Sequence, residues 1–207
     1  MEGYRTVTGT ASAELEVKRS RFIATVIPCD SEETAAGFIA DCRKKYWDAR
    51  HNVYAFCLRQ GGLRRYSDDG EPHSTAGLPV LETVLHAGLE DVAVVVTRYF
   101  GGVLLGTGGL VRAYSEAARL ALEQAEIVTM RPAVRFSVVC DYSDYESLLK
   151  LAGGFQAKIM DTDFSAQVGV TLGVSAAEYD AFCKKLEDAF CGRLHTEGQD
   201  ELLLGFS

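Results

Sequence analysis

The sequence predicts an α+β protein with two domains, residues 1–131 and 132–207. Segments of strand-like and helix-like apolar periodicity occur in both parts, and Arg131-Pro132 separates them. Charge is also divided unevenly, because residues 1–131 carry 15 basic and 17 acidic side chains and residues 132–207 carry 6 and 12. A chain of 207 residues is long enough for two small domains.

The first domain begins with a weakly alternating segment, residues 15–28, which predicts a strand. Ser31 followed by two acidic residues is typical of a capped helix start, and this helix should extend to about Tyr46. The following patterns predict a strand at 53–58, a turn at 60–62, a pairing strand at 63–66, a loop at 67–77, a helix from Leu78-Pro79 to Gly88, a buried strand at 91–99, a helix at 110–124 and a short strand at 127–131.

The second domain has short and well-separated elements. The patterns predict a strand at 134–140, a helix at 143–152, strands at 155–161 and 165–172, a helix at 176–190 and a last strand from the segments 191–195 and 201–204. The order β-α-β-β-α-β is that of a ferredoxin-like domain. We therefore expect this fold for residues 132–207.

The segment 91–118 is the most informative part of the chain, because a buried strand leads through an Arg-Tyr-Phe triplet and a glycine-rich turn into a helix. Such a junction can present several backbone N–H groups to an anion. The predicted ligand- or anion-binding residues are Arg98, Tyr99, Phe100, Gly101, Gly102, Gly106, Gly108, Gly109 and Arg112. Alternatively, the glycines provide only turns and close packing, and the two aromatic rings either stack on a base or complete the core.

Two well-known phosphate-binding motifs are absent from this segment. A Walker A loop ends in Gly-Lys-Ser/Thr, and no Lys lies between Asp91 and Ala118. A dinucleotide fingerprint requires a third glycine at the position of Val111. These absences disfavour a nucleotide-hydrolysing enzyme or a dehydrogenase.

The loop 67–77 contains three carboxylates, Asp68, Asp69 and Glu71. Their oxygens could bind Mg²⁺ or Ca²⁺, or they could accept hydrogen bonds from backbone N–H groups in an Asx-type turn. His51 could act as an acid or base near neutral pH, or serve as a structural hydrogen-bonding group. We treat these four residues as a possible rim of the site, and we expect no catalytic residue, no metal and no cofactor.

Other basic residues could extend the site into a phosphate-tracking surface. Lys18, Arg19, Arg21, Arg64 and Arg65 could join Arg98 and Arg112 on one face, or they could be scattered. The excess of acidic residues in 132–207 makes that part a poor candidate for holding a nucleic-acid backbone.

The composition predicts a cytoplasmic protein. The chain has no apolar span of 18 residues and no signal sequence at its beginning. Its six cysteines form no C-x-x-C motif and no zinc-ligand spacing, so we expect them to be reduced and mostly to pack in the core.

Five motifs resemble the YigZ/IMPACT family, and together they extend over most of the first domain. They are 18–24 (KRSRFIA), 49–55 (ARHNVYA), 67–72 (SDDGEP), 75–77 (TAG) and 94–118, which includes TRYFGG and GTGGLVRAYSEA. His73-Ser74 stands where the family usually has Ser-Gly, and Leu104 stands where it usually has Lys. The second domain is similar to the small C-terminal domain of the bacterial members.

The resemblance implies a fold and a function. The first domain should resemble the second domain of ribosomal protein S-five and domain four of elongation factor G, and the second should resemble the last domain of that factor. In eukaryotic relatives, the resemblance implies regulation of translation under amino-acid stress through competition for a kinase activator. The favoured hypothesis is therefore a translation-associated regulatory protein that binds the ribosome, RNA or a translation factor without catalysis. The alternative is an enzyme that acts on a small anionic or nucleotide-like ligand at the glycine-rich loop.

Overall fold

The computed structural model describes residues 3–206, which form two compact units. One unit comprises residues 5–128, and the other comprises residues 129–206 together with the residues described before Arg5. The architecture is α+β, as predicted, with mixed helices and strands in both units. The predicted boundary at Arg131-Pro132 lies within a strand that runs from one unit into the other.

The N-terminal unit is built on an antiparallel sheet with the strand order β2-β3-β6-β4-β5. Its elements are β1 (Tyr4–Thr8), β2 (Ala11–Val17), β3 (Ser20–Pro28), α1 (Glu32–Lys45), β4 (His51–Leu58), a 3-10 turn (Gln60–Gly62), β5 (Leu63–Ser67), α2 (Gly77–His86), β6 (Val92–Tyr99) and α3 (Thr107–Gln124). β1 is anchored to this unit by the Thr6 hydroxyl, which donates to the Asp91 carbonyl at 3.1 Å.

The central strand β6 is buried on both faces, which explains its uninterrupted apolar sequence. Val94 and Val96 pack in the core that the sheet forms with α2 and α3. Ala93 and Val95 face the opposite core, which includes residues of α1. Because side chains alternate along a strand, the even-numbered residues of β6 point towards α2 and α3. This alternation determines where Arg98 is placed.

The C-terminal unit has the predicted ferredoxin-like order. Its elements are β7 (Glu126–Cys140), α4 (Tyr142–Gly154), β8 (Lys158–Phe164), β9 (Val168–Ser175), α5 (Tyr179–Phe190) and β10 (Thr196–Phe206). These strands pair antiparallel in the order β10-β7-β9-β8, and β1 also pairs with β7 as the fifth strand of the sheet. One core joins the sheet to both helices, with Phe136 and Phe182 fully buried in it.

The predicted cap of α1 is confirmed. The Thr34 backbone N–H donates to the Ser31 hydroxyl at 3.2 Å, and Glu32 and Glu33 occupy the first turn. These acidic residues complement the positive end of the helix dipole. The predicted pairing of residues 63–66 with the preceding strand is also confirmed by the β4–β5 hairpin.

The predicted single strand at 15–28 is wrong, because β2 and β3 form a hairpin. Its two-residue turn is Lys18-Arg19, and both residues have positive φ, 47° and 67°. Positive φ at both positions is the requirement of a type I′ turn, for which Asn-Gly is the usual signal. Lys-Arg gives no such signal, so the turn was not recognised.

Several other boundaries differ from those predicted. β7 continues through Pro132, whose fixed φ fits extended backbone, so the two predicted strands at 127–131 and 134–140 are one. α3 begins at Thr107, three residues before the predicted start at Leu110. Gly108 and Gly109 are poor helix formers, so the sequence did not indicate that they belong to the helix. The strands predicted at 155–161 and 165–172 lie three residues later, since α4 extends to Gly154. The predicted helix at 176–190 begins only at Tyr179, and residues 191–195 are not strand.

The cysteines are free throughout the described part of the chain, and four of the six are buried. Burial raises the pKa of the Cys42 and Cys57 thiols to about 11, so both remain protonated at neutral pH. Cys191 is exposed. Among residues 3–206, no helix is both long and apolar enough to cross a membrane.

The contact between Gly101 and the β2–β3 turn gives a first prediction. A Cβ atom at Gly101 would lie 2.0 Å from the backbone carbonyl of Arg19, which cannot move aside as a side-chain tip could. We expect Gly101→Ala to lower the free energy of unfolding by about 3 kcal/mol or more in urea denaturation. Gly108→Ala is the matched control, since a Cβ there meets nothing within 4 Å. It should raise stability by about 0.5–1 kcal/mol, and equal stability of the two variants would contradict the contact.

Candidate functional site

Arg98 lies at the end of β6 and is buried, with only 5% of its surface exposed. Its Nη1 donates to Glu71 Oε1 at 2.5 Å, and its Nη2 donates to the Ser20 hydroxyl at 3.3 Å. The guanidinium lies between two aromatic rings, 5.4 Å from the centroid of Phe22 and 5.5 Å from that of Phe100. The even-numbered face of β6 therefore ends in a cation that is enclosed by the fold.

Glu71 brings the acidic loop to this cation. Its Oε1 atom accepts hydrogen bonds from Arg98 and, at 2.8 Å, from the Tyr114 hydroxyl of α3. Burial and the neighbouring Glu71 charge raise the pKa of Tyr114, which therefore stays protonated and remains a donor. The carboxylate thus joins β6, the loop and α3 at one atom.

His51 stands at the start of β4 beside the same carboxylate. Its Nδ1 lies 2.7 Å from the Asp69 carbonyl oxygen, which can only accept, so Nδ1 carries the proton. Its Nε2 lies 3.8 Å from Glu71 Oε1. The backbone contact supports the structural interpretation of His51, while Nε2 remains directed towards the charged cluster.

The other carboxylates of the acidic loop are used by the protein itself. Asp68 accepts from the backbone N–H groups of Ser74, Ala76 and Gly77 at 2.8, 3.1 and 2.8 Å. The expected bonding of a carboxylate to backbone N–H groups is therefore present, but these donors lie 6, 8 and 9 residues on, so the arrangement is not an Asx turn.

Asp69 has two further partners. Its Oδ2 accepts from the Asn52 N–H at 2.6 Å, and its Oδ1 accepts from Arg43 Nη2 at 2.8 Å. Throughout residues 3–206, no cluster of His, Cys, Asp or Glu has the arrangement of a metal site.

The glycines of the loop have different roles. Gly101 is required by its contact with Arg19, and Gly102 and Gly106 have positive φ of 82° and 73°. A Cβ at Gly109 would lie 3.0 Å from Leu105 Cβ, so this glycine is closely packed. Among the loop glycines predicted to bind, Gly108 alone has neither a positive φ nor an atom within 4 Å of the place a Cβ would take. The packing interpretation therefore accounts for every one of these glycines except Gly108.

A cleft of about 420 Å³ lies between the glycine-rich loop and the acidic loop. It is lined by Arg50, His51, Gly70, Glu71, Pro72, Arg98, Phe100, Leu104, Leu105, Gly106, Thr107 and Leu110. Five predicted residues thus share one cavity: His51, Glu71, Arg98, Phe100 and Gly106. This volume is sufficient for a small organic ligand.

Other predicted residues lie outside this cleft. Arg112 is exposed on α3 and lines a separate groove. The Tyr99 hydroxyl donates to Asp48 at 2.9 Å, and burial raises the pKa of Tyr99. Asp68 binds backbone N–H groups of the loop, Asp69 binds the Asn52 N–H of β4 and the Arg43 side chain, and neither carboxylate lines the cavity.

The proposed basic face is also divided. Arg64 and Arg65 lie on β5, at the opposite edge of the sheet from β2. Arg21 pairs with Glu14 at 2.5 Å. Of these basic residues, Lys18 and Arg19 form the turn that lies next to the glycine-rich loop, where the Arg19 backbone contacts Gly101.

The contributors that the sequence did not indicate include Arg50 and Thr107, which line the cleft, and Tyr114, which donates to Glu71. Arg50 was noticed only as part of a motif, although its guanidinium lies 5.7 Å from the Phe100 ring centroid. Tyr114 lies on the buried face of α3, where its ring packs edge-on to Phe22 at 5.1 Å. A tyrosine hydroxyl on a buried helical face needs a partner, and that requirement was the available signal.

Comparisons with known proteins agree with this architecture. Residues 18–122 match the Impact N-terminal domain, and residues 138–193 match a domain of unknown function, DUF1949. The chain is 34% identical to the IMPACT family member YigZ of Escherichia coli, over 94% of this chain and 97% of that protein. It is 30% identical to the IMPACT family member YvyE of Bacillus subtilis, over 93% and 89%.

More distant and structural relatives are consistent with these matches. Mouse Protein IMPACT is 36% identical over 43% of this chain and 29% of its own length. A crystal structure described as that of a hypothetical protein matches with a TM-score of 0.62 at 33% identity, covering 96% of this chain and 98% of the other. The chain therefore belongs to the IMPACT family, as its sequence motifs predicted.

The Asp68 carboxylate gives the second prediction. We expect Asp68→Ala to lower the free energy of unfolding by about 2–4 kcal/mol, because several backbone donors lose a charged acceptor. Chemical denaturation of the full chain measures this change. Asp163→Ala, at an exposed position of β8, is the control and should change stability by less than about 0.5 kcal/mol. A similar small effect at Asp68 would show that these hydrogen bonds do not hold the loop.

Proposed function

We propose that this chain is a translation-associated regulatory protein that binds ribosomal RNA, and that it acts by binding rather than by catalysis. The family resemblance supports a role in translation, and the surface beside the glycine-rich loop supports RNA as the partner. Such a role agrees with the cytoplasmic location predicted from the sequence.

The observation that carries the proposal is the environment of Phe100. The Phe100 residue is 38% exposed, and the guanidinium of exposed Arg50 lies 5.7 Å from its ring centroid. RNA-binding proteins hold unpaired bases on aromatic rings and arginine planes of this kind. A base that stacks on Phe100 would have its phosphates within reach of Arg50.

Further exposed cations lie at the turn beside the glycine-rich loop. Lys18 and Arg19 are exposed at the β2–β3 turn, whose backbone contacts Gly101 directly. Within residues 3–206, neither of them nor Arg50 forms an ion pair with a carboxylate. Their charges are therefore available to phosphates, whereas Arg98 is already neutralised by Glu71.

The charge distribution favours the N-terminal unit as the RNA-binding part. Residues 132–207 carry 6 basic and 12 acidic side chains, so an RNA backbone would be repelled there. A translation factor or another protein is the partner class that suits this acidic unit. If the chain binds such a protein and does not bind RNA, the partner is a protein and the proposal of RNA binding is wrong.

A second candidate function is an enzyme that acts on a small anionic or nucleotide-like ligand. The observation that favours it is the cleft, where His51, Glu71 and Arg98 converge at one carboxylate oxygen. Catalytic groups must reach a single reacting atom, and these three side chains are close enough to do so. Turnover of a ligand by the purified protein would establish this candidate in place of a binding role.

The third prediction concerns binding to ribosomes and to single-stranded RNA. Phe100→Ala and Arg50→Ala should each weaken binding about tenfold, since stacking on an aromatic ring contributes about 1–3 kcal/mol per base. Fluorescence anisotropy at several salt concentrations measures this change, and wild-type affinity should fall as salt rises.

The control is Arg119→Ala, which removes a positive charge from an exposed site of α3, where Glu116 and Glu123 already pair with it. Arg119 is twelve residues beyond the start of α3 at Thr107, which is about 18 Å along the helix axis. This variant should bind as the wild type does. If Phe100→Ala binds RNA as tightly as the wild type, the stacking surface is not the binding site.

A further inference from the structure

We infer that the surface proposed to bind RNA extends from Phe100 past Arg50 to Trp47, and that its ligand is single-stranded RNA with unpaired bases stacked on both aromatic rings. The inference rests on the proposed function, and it deepens that function by assigning a second stacking position and a class of RNA. The bases of a duplex are paired and stacked on one another, so a duplex could not use the two rings in this way.

Trp47 is the one tryptophan of the chain, and 82% of its surface is exposed. Tryptophan is highly buried on average in folded proteins, so an indole left in water calls for an explanation. Among residues 3–206, no other aromatic ring packs against this indole. The ring is therefore free to stack with a ligand, and every nucleic-acid base has a π-face on which it can do so.

The turn that carries Trp47 is held by backbone hydrogen bonds. The Ala49 N–H donates to the Tyr46 carbonyl at 3.0 Å, so Trp47 and Asp48 are the central residues of a hydrogen-bonded turn. The Tyr46 N–H donates in the same way to the Cys42 carbonyl of α1 at 2.9 Å. The exposure of the indole therefore results from a defined turn at the end of α1.

The same turn is attached to the end of β6, where Phe100 stands. The Tyr99 hydroxyl donates to Asp48 Oδ1 at 2.9 Å, and the Arg50 guanidinium lies 5.7 Å from the centroid of the Phe100 ring. Because Trp47 precedes Arg50 by three residues, their Cα atoms are at most about 11 Å apart. A strand of RNA with one base on Phe100 and a phosphate at Arg50 therefore reaches the indole with a nearby base.

The charges around this turn suit a phosphate backbone. Segment 44–50 carries the cations of Lys44, Lys45 and Arg50 and the single carboxylate of Asp48. All three cations are exposed, and none forms an ion pair within the described part of the chain. The helix dipole accounts for the two lysines in the last turn of α1, but it does not account for the exposed indole that follows them. Exposed aromatic rings among free cations favour single-stranded nucleic acid over a protein partner.

The experiment follows the tryptophan fluorescence of the full chain during titration with a short oligouridylate, while the anisotropy of the labelled oligomer measures binding independently. Because Trp47 is the one tryptophan, this emission reports on its position alone. We expect the emission to fall about twofold or more at saturation, since a base stacked on the indole quenches it. A duplex RNA of the same length should bind at least about tenfold more weakly, because its bases cannot stack on the two rings.

Variants of the indole test its contribution to affinity. Trp47→Ala should weaken binding of the oligomer about tenfold, whereas Trp47→Phe, which keeps an aromatic ring, should bind to within about threefold of the wild type. Neither variant changes a charge, so the dependence of affinity on salt should remain that of the wild type. Phe164→Ala is the control, because it removes an aromatic residue that is 59% exposed on the acidic unit. It should bind the oligomer as the wild type does.

The outcomes separate this inference from the proposed function. If the oligomer binds while the tryptophan emission stays constant, or if Trp47→Ala binds as the wild type does, RNA binding at Phe100 stands and the inference is wrong. Equal affinity for duplex and single-stranded RNA, or an equal loss in Trp47→Ala and Phe164→Ala, would also overturn it. If neither RNA binds at low salt, the proposed function fails and the inference fails with it.

Discussion

The buried ion pair between Arg98 and Glu71 is the interaction on which the arrangement of the site depends. Both side chains are at least 94% buried, so each charge has been removed from water at considerable cost. Replacing one partner of such a pair typically costs about 3–5 kcal/mol, because the other charge is left uncompensated. The pair fixes the acidic loop to the end of the central strand β6, and the Tyr114 hydroxyl extends this connection to α3.

The ion pair explains why the acidic loop forms one wall of a cleft. Glu71 is held against Arg98, while Asp68 and Asp69 organise the backbone on either side of it. The opposite wall begins at Gly101, which the β2–β3 turn contacts too closely to permit a side chain. The cleft is therefore shaped by loops that are each attached to the sheet, and its polar groups are held in place before any ligand binds.

Periodicity and capping signals were sufficient to predict the two-domain α+β fold, because they depend only on neighbouring residues. Ser31 caps the helix that follows it, and the apolar run of β6 indicates a buried strand. The Lys18-Arg19 turn could not be predicted, because Lys and Arg are not the residue types that usually indicate positive φ. In the site, the sequence brought attention to His51, Glu71 and Arg98, but not to their pairing. That pairing depends on which face of β6 Arg98 occupies. Arg112 is close to the glycine-rich loop along the chain, but it does not line the cleft.

A double-mutant cycle would measure whether Arg98 and Glu71 stabilise the fold as a coupled pair. Glu71→Gln keeps an acceptor for Tyr114, and Arg98→Met replaces the cation with an apolar chain of similar length. The free energies of unfolding of both single variants and the double variant would be measured in urea. We expect the double variant to be more stable than the sum of the single losses implies, by about 2–3 kcal/mol. Losses that add to within about 0.5 kcal/mol would show that the two side chains are not energetically coupled.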